Sequence, residues 1–228
     1  ELEFDGDDGY GISIAQLNSD IFVIAYRGRS EDGYITTIKV STAGKMTHVV
    51  PKQEHDKKDG WYNSLIKVDD NTVALFYRGD ESGSSSIIKT FDIPADGSTI
   101  TQVATKKLNI AGDYHKIIAM GGDKYATIML VGSTQYITTF SISADGNTIS
   151  QIQQVTESGA GKLGDIVKMD GDTYAIASYG TSKKNKSEVS SSGSYIATYD
   201  IPADGSWELD CWRLYQCGVG AQRLHEVF

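Results

Sequence analysis

The segment VIAYRG at Val23–Gly28 recurs along the chain, and this recurrence decides the fold. Its counterparts are ALFYRG at Ala74–Gly79, IMLVG at Ile128–Gly132 and IASYG at Ile176–Gly180. The glycines that end these segments stand about fifty residues apart. The spacing predicts an internal repeat of that length.

A second marker recurs in phase with the first. It is Ala-Asp-Gly at 95–97, 144–146 and 203–205, and Thr-Ala-Gly at 42–44. Asp and Gly tolerate the backbone conformations of tight hairpin turns, so the marker indicates a turn. Two markers that keep one order along the chain indicate that the unit is repeated in four copies.

Each repeat divides into four strand-sized pieces. In the second repeat they are Tyr62–Val68, Thr72–Arg78, Ser86–Ile93 and Thr99–Thr105. These pieces are short, rich in β-branched residues and without helical periodicity. Four antiparallel strands in each repeat predict an all-β fold, namely a β-propeller with one four-stranded blade per repeat.

In repeat period and hairpin turns, the chain resembles β-propeller repeat proteins of the kelch and PQQ-like class, without the motif of a specific family. One propeller domain over 1–228 is expected, with blades at about 9–58, 59–111, 112–162 and 163–214. Residues 1–8 are expected to contain an orphan strand at Leu2–Phe4, either the last strand of a lost blade or a partner of the final one. Residues 215–228 form an atypical tail. The four blades close a ring, form a half-ring that pairs with another chain, or belong to a larger ring.

Composition excludes several functional classes. The 228 residues include 30 acidic and 21 basic side chains, which gives a formal net charge of −9. Binding to nucleic acid or to an anionic membrane surface requires a basic patch, so neither is expected. No apolar run is long enough to insert as a transmembrane helix. The first residue is Glu1 rather than Met, which favours a processed product or a piece of a longer chain.

Propeller geometry places the variable loops on one face of the domain. Loops between the second and third strands, and loops between blades, vary in length and chemistry, whereas the other turns are short and uniform. Binding residues commonly lie on variable loops of a rigid scaffold. This loop face is therefore the predicted binding face.

The candidate ligand-binding residues on the loop face are arginines, aromatic residues and histidines. An arginine fork can hold a carboxylate or sugar hydroxyls, and an aromatic ring at a blade start can stack on a sugar. The alternatives are that the arginines pair with acids such as Asp80 or Glu81 and that the rings only pack. A metal shared by the two histidines is not predicted, because no ligand spacing supports it. The candidates are Arg27, Arg78, Trp61, Tyr62, Tyr114, His115 and His55.

No cofactor is predicted, with one alternative left open. The acidic stretch Asp5-Gly6-Asp7-Asp8-Gly9 does not have EF-hand spacing, and it is either an acidic turn or a calcium site of another kind. Cys211 and Cys217 are either bridged or reduced, and Asn185 is a formal glycosylation acceptor.

The predicted function is that of a non-catalytic binding or assembly module. The sequence has no nucleophile-elbow or phosphate-loop motif. The module is expected in an extracellular or cell-surface protein, where its loop face would recognise a glycan or protein ligand. One alternative is a glycan-active hydrolase or lyase with carboxylates in the propeller channel. The other is a structural subunit, through self-association or as part of a larger parent chain.

Overall fold

The structure is a computed structural model that describes residues 1–6, 8–80, 84–181 and 192–206. Several predictions lie outside these residues. They concern Asp7, Glu81, Asn185, the last residues of the fourth blade at 207–214, the two cysteines and the tail at 215–228.

The described residues form antiparallel sheets that confirm the predicted all-β propeller. Three sheets have four strands in chain order, and the fourth has three described strands. A short 3₁₀ helix, Arg29–Glu31, lies between the second and third strands of the first blade. No helix in the described part of the chain is long and apolar enough to cross a membrane. The strands are β1 (Tyr10–Gln16), β2 (Ile21–Arg27), β3 (Gly33–Val40), β4 (Met46–Asp56), β5 (Trp61–Asp69), β6 (Thr72–Gly79), β7 (Ser85–Asp92), β8 (Thr101–Lys107), β9 (Asp113–Gly121), β10 (Lys124–Val131), β11 (Thr134–Ile142), β12 (Ile149–Ser158), β13 (Ala160–Lys168), β14 (Thr173–Thr181) and β15 (Ser192–Asp200).

The first strand of each blade lies innermost. β1 packs beside β5, β5 beside β9 and β9 beside β13, so the blades follow one another around a common axis. The second strands of the first three blades are nearly continuous apolar runs because neighbouring blades, or the chain's own N-terminal segment, cover both of their faces. Separate apolar cores therefore lie between consecutive blades.

The recurring Ala-Asp-Gly marker is a hairpin turn, as predicted. Gly97, Gly146 and Gly205 have φ between +71° and +79°, a conformation that favours glycine. Within the same turns, Asp96 and Asp145 each accept a backbone N–H from two residues later. Side-chain and backbone hydrogen bonds lower the pKa of the Asp145 carboxyl to about 2. The repeated aspartates thus stabilise turns, and much of the negative charge follows from the fold.

The same turns join consecutive blades through one repeated contact. In each of the first three blades, one threonine hydroxyl of the third strand donates to the glycine carbonyl in the turn of the next blade. We call this contact the threonine latch. Its described copies are Thr37 to Gly97 at 2.8 Å, Thr90 to Gly146 at 2.7 Å and Thr139 to Gly205 at 2.6 Å.

The N-terminal segment is not a strand in the structure, in contrast to the orphan strand expected at Leu2–Phe4. Leu2 and Phe4 instead pack onto Ile24 and Tyr26, on the face of the first blade that points away from the second. Among the described residues no other blade covers this apolar face, whereas the equivalent face of the second blade is buried by the first, so Leu2 and Phe4 remove apolar surface from water here.

Candidate functional site

The inner strands of the first three blades begin with the same backbone irregularity. Near the start of each strand a β-bulge places two residues of the inner strand opposite one residue of the second strand. The first of these two residues has a left-handed backbone: Gly11, Tyr62 and Tyr114 have φ of 57°, 57° and 56°. Glycine adopts this conformation freely, but in a tyrosine it costs of order 1–3 kcal/mol. Such bulges re-aim side chains, and here they set the orientation of two tyrosines beside the axis.

Two arginines lie opposite the starts of these strands. Arg27 pairs across from Tyr10, and Arg78 pairs across from Trp61. Each side chain then reaches the first residue of the next inner strand. The Arg27 guanidinium lies 3.7 Å from the centroid of the Trp61 ring, and Arg78 Nη1 lies 2.5 Å from Asp113 Oδ1.

Arg78 also connects two carboxylates from neighbouring blades. Its Nε lies 3.4 Å from an oxygen of Asp59, in addition to the contact with Asp113. Because one guanidinium bridges both, these two carboxylate oxygens are no more than about 8 Å apart. Arg27 pairs with Glu31 at 3.0 Å. The predicted arginine sites thus lie within an acidic cluster supplied by two blade junctions and by the loop after β2.

The two bridged carboxylates occupy different environments. The side chain of Asp59 is 9% exposed and that of Asp113 is 42% exposed. Burial raises the pKa of Asp59 to about 6, although Arg78 opposes the shift. Within the described residues, the buried Asp59 Oδ1 has no hydrogen-bond partner. One carboxyl is therefore partly protonated near pH 6 while its neighbour is open to solvent, an arrangement found in acid–base pairs.

A row of three half-buried aromatic rings borders these carboxylates. The Trp61 and Tyr62 ring centroids are 6.0 Å apart, and those of Tyr62 and Tyr114 are 5.1 Å apart. We call these rings the aromatic row. With Arg27, Arg78, Asp59 and Asp113, they make up the channel site. The structure therefore brings five of the seven predicted site residues together.

His115 lies behind the aromatic row. It is buried, packs edge-on against Phe76 at 4.4 Å and approaches Tyr62 at 6.2 Å. Its Nε2 is 2.7 Å from Ser86 Oγ. Burial, and secondarily Arg78, lowers its pKa to about 3, so the imidazole is neutral at neutral pH. It supports the tyrosine from the interior.

His55 occupies a different blade junction from His115. It packs edge-on against Tyr77 at 4.7 Å and covers Gly33 so closely that a β-carbon there would meet the ring. Burial, and secondarily Lys89, lowers its pKa to about 3. These contacts give it a packing role, in which the absence of a side chain at Gly33 is essential.

Calcium stays a prediction. Within 1–6, 8–80, 84–181 and 192–206 there is no group of three or more His, Cys, Asp or Glu side chains that could hold a metal ion. Of the acidic stretch near the N-terminus, Asp7 lies outside the described residues, and the buried side chain of Asp5 pairs with Lys52 at 3.3 Å.

Sequence reasoning missed Asp59 and Asp113, although a weak signal marks both. A glycine precedes or opens the inner strand of every blade, at 9, 60, 112 and 159. Asp59 directly precedes one of these glycines, and Asp113 directly follows the next. Aligning the repeats on the blade starts would have placed both acids beside Trp61 and Tyr114.

Comparisons with known proteins support the propeller fold. No known protein family matches the sequence, and no curated protein is significantly similar to it. Among solved structures, a protein from Lactobacillus plantarum aligns with a TM-score of 0.54 at 12% identity, over 86% of this chain and 53% of its own. A family-43 β-1,3-galactosidase with bound galactodeoxynojirimycin aligns with a TM-score of 0.50 at 12% identity, over 84% of this chain and 73% of its own. An α-L-arabinofuranosidase from Clostridium thermocellum aligns with a TM-score of 0.47 at 16% identity, over 85% and 70%.

At these identities the likeness shows the fold, and the chain spans about half the length of the Lactobacillus plantarum protein. The expectation that the chain is not an enzyme is nevertheless contradicted, because similar structures include a galactosidase. That expectation depended on the lack of a local catalytic motif. In a propeller, residues from different blades meet at the axis, so a catalytic group need not leave any local motif.

Proposed function

We propose that this protein is a glycan-active hydrolase that cleaves glycosidic bonds at the channel site. The observation that carries the proposal is the Asp59 and Asp113 pair, held within about 8 Å by Arg78. Glycosidases use two carboxyl groups about 5–5.5 Å apart when they retain configuration, and about 6.5–9.5 Å apart when they invert it. The upper limit of about 8 Å between the contacted oxygens of Asp59 and Asp113 is compatible with both geometries.

The environments of the two carboxyls assign their roles. Asp59, with its raised pKa, acts as the general acid and protonates the glycosidic oxygen as the bond to the anomeric carbon breaks. Asp113 acts as the second carboxyl group, paired with Arg78. It either removes a proton from the water that attacks the anomeric carbon, or attacks that carbon itself and forms a covalent glycosyl ester. In the second case water then displaces the Asp113 carboxylate and gives its proton to Asp59, which the first step left deprotonated. In both cases the leaving sugar keeps the proton from Asp59, and water supplies the new hydroxyl.

The aromatic row supplies the sugar-binding surface in this proposal. Sugar rings present apolar C–H faces that pack on aromatic side chains, while their hydroxyls bind charged groups at the edge. Arg27 stacks on Trp61 and holds the orientation of that ring. The left-handed backbone of Tyr62 and Tyr114 is consistent with rings held in place for binding.

The ligand class and setting form part of the same proposal. A glycan substrate agrees with the net charge of −9, which disfavours polyanions. An extracellular or cell-surface setting, predicted from the sequence, is where polysaccharides are available. The names of the similar glycosidases identify two bond types to test first, α-L-arabinofuranosides and β-1,3-linked galactosides.

The deciding experiment measures reducing-sugar release from a panel that includes both bond types. Asp59→Asn and Asp113→Asn should each lower kcat by about 10²–10⁴-fold, because each removes a proton-transfer or nucleophilic group. Asp165→Asn is the matched control, since Asp165 also lies on an inner strand and its side chain is 65% exposed. It should retain activity.

The pH profile distinguishes an acid from a merely structural aspartate. Activity should fall as the pH rises through about 6, because Asp59 loses the proton that it must donate. Glycans that bind without turnover would contradict the proposal. Turnover that survives Asp59→Asn with an unchanged pH profile would contradict the role of Asp59.

A further inference from the structure

The two ends of the row of blades carry most of the exposed apolar surface in the described part of the chain. Monomeric proteins seldom leave such groups together unless they bind a partner. At the first blade they are Tyr10, Ile12 and Ile14, and at the fourth they are Val167, Met169, Tyr179 and Ile196.

The outward face of the fourth blade has the same residue pattern as the faces through which the earlier blades contact the next blade. Ile35, Ile88 and Ile137 occupy one position of the third strand, where each is at most 1% exposed under the next blade. Ile196 occupies the same position, paired with Ala177, but is 54% exposed. The isoleucine that packs under the next blade at every earlier junction is therefore present in the fourth blade, where it is exposed.

The fourth blade also carries the donor residue of the threonine latch. Thr198 is paired with Ala175, as Thr37 is with Val23, so it is the fourth copy of the donor. At earlier junctions the hydroxyl donates to a glycine carbonyl of the next blade. Within the described residues, no turn of a next blade lies against Thr198.

The first blade carries the complementary half of the latch. Gly44 closes its turn by donating to Ser41 at 2.8 Å with φ of +76°, as in the other turns. No atom lies within 4 Å of the position its β-carbon would take, whereas Gly146 has Thr72 at 2.9 Å. Leu2 and Phe4 cover β2 and β3 of this blade but leave Ile12 and Ile14 exposed.

We propose that the fourth blade of one copy binds the first blade of a second copy, with Thr198 latched to the Gly44 turn. Among the described residues both halves of the contact are unmatched, and β13 does not pack on β1 as consecutive inner strands pack on each other. The two end faces differ as donor and acceptor, so the copies associate head to tail and not through like faces. The inference does not depend on the hydrolase activity.

Sedimentation velocity and light scattering of the full chain test the proposal. Between about 1 and about 100 µM, the mass should rise from one chain of 24.8 kDa to at least two. Ile196→Glu and Ile14→Glu each place a charge on one end face at an exposed position, and each variant alone should stay monomeric. Thr156→Glu adds the same charge on the outer strand β12 and should associate like the parent.

Mixing the variants identifies the geometry. Equal amounts of Ile196→Glu and Ile14→Glu retain one intact face of each kind, so the mixture should form a dimer and stop there. Thr198→Val should weaken association of the parent by about fivefold, the effect of one hydrogen bond. A parent chain that stays monomeric throughout would overturn the proposal. Association of Ile14→Glu by itself would also overturn it, because that result requires contact between like faces.

Discussion

Replacement of Asp59 by asparagine should make the protein more stable at neutral pH while removing a group of the proposed site. Asp59 is buried with one oxygen unpartnered, and burial raises its pKa from 3.8 to about 6 against the pull of Arg78. The folded protein thus binds this proton more tightly than the unfolded chain does. Stability contributed by the protonated group is lost as the pH rises from about 4 to about 6.

The size of the effect follows from the two pKa values. A difference between 3.8 and about 6 corresponds to up to about 3 kcal/mol of unfolding free energy. Below pH 3.8 both states are protonated, and the variant differs from the parent only by the amide. Above pH 6 the parent carries the whole cost of the buried charge, whereas the asparagine does not.

Urea unfolding of the parent and Asp59→Asn at pH 3.5 and pH 7.5 measures this difference. The stability of the variant relative to the parent should increase by up to about 3 kcal/mol between the two pH values. Asp165→Asn removes an exposed charge and should show no such increase. If the stability of Asp59→Asn relative to the parent is the same at both pH values, the pKa of Asp59 is not raised by folding; if it falls between pH 3.5 and pH 7.5, Asp59 is an ordinary ion-pair partner of Arg78. Either result overturns the assignment of a general acid.

Three further comparisons test the architecture. Gly146→Ala should destabilise the protein by about 2–4 kcal/mol in thermal unfolding, because its β-carbon would clash with Thr72 and Thr90 of the preceding blade. Gly44→Ala should cost only the left-handed backbone, about 1 kcal/mol, and equal losses would contradict the docking role of the turn. Thr90→Val should lower the unfolding free energy by about 1–3 kcal/mol, because it removes the latch and leaves the Ala104 N–H without its acceptor. Thr198→Val should change the unfolding free energy of the dilute protein by less than about 0.5 kcal/mol. Similar values for the two variants would show that the latch contributes little to stability. The parent should lose unfolding free energy as the pH falls from about 6.5 towards 3, because the unfolded chain protonates His115 and the folded state does not; His115→Phe should lose less over the same range. If the two proteins lose the same unfolding free energy, the buried imidazole accepts the proton in the folded state.

The sequence alone predicted the repeat, the four-stranded blades and the turn chemistry. These features are local: strand length, apolar runs and the positive φ of Gly97 or Gly146 depend on neighbours along the chain. It also indicated the arginines and aromatic rings of the loop face, because they stand at equivalent positions of successive repeats. What one blade requires is encoded within about fifty residues.

Only the tertiary structure decided how the blades meet. Asp59 and Asp113 belong to different blades, and Arg78 brings them together across a junction that no local motif describes. The burial that raises the pKa of Asp59, and the two uncovered ends of the row, likewise arise from packing between blades. Sequence periodicity specifies each sheet. The distances from Arg78 to Asp59 and Asp113, and the burial of Asp59, exist only once the sheets pack around the axis.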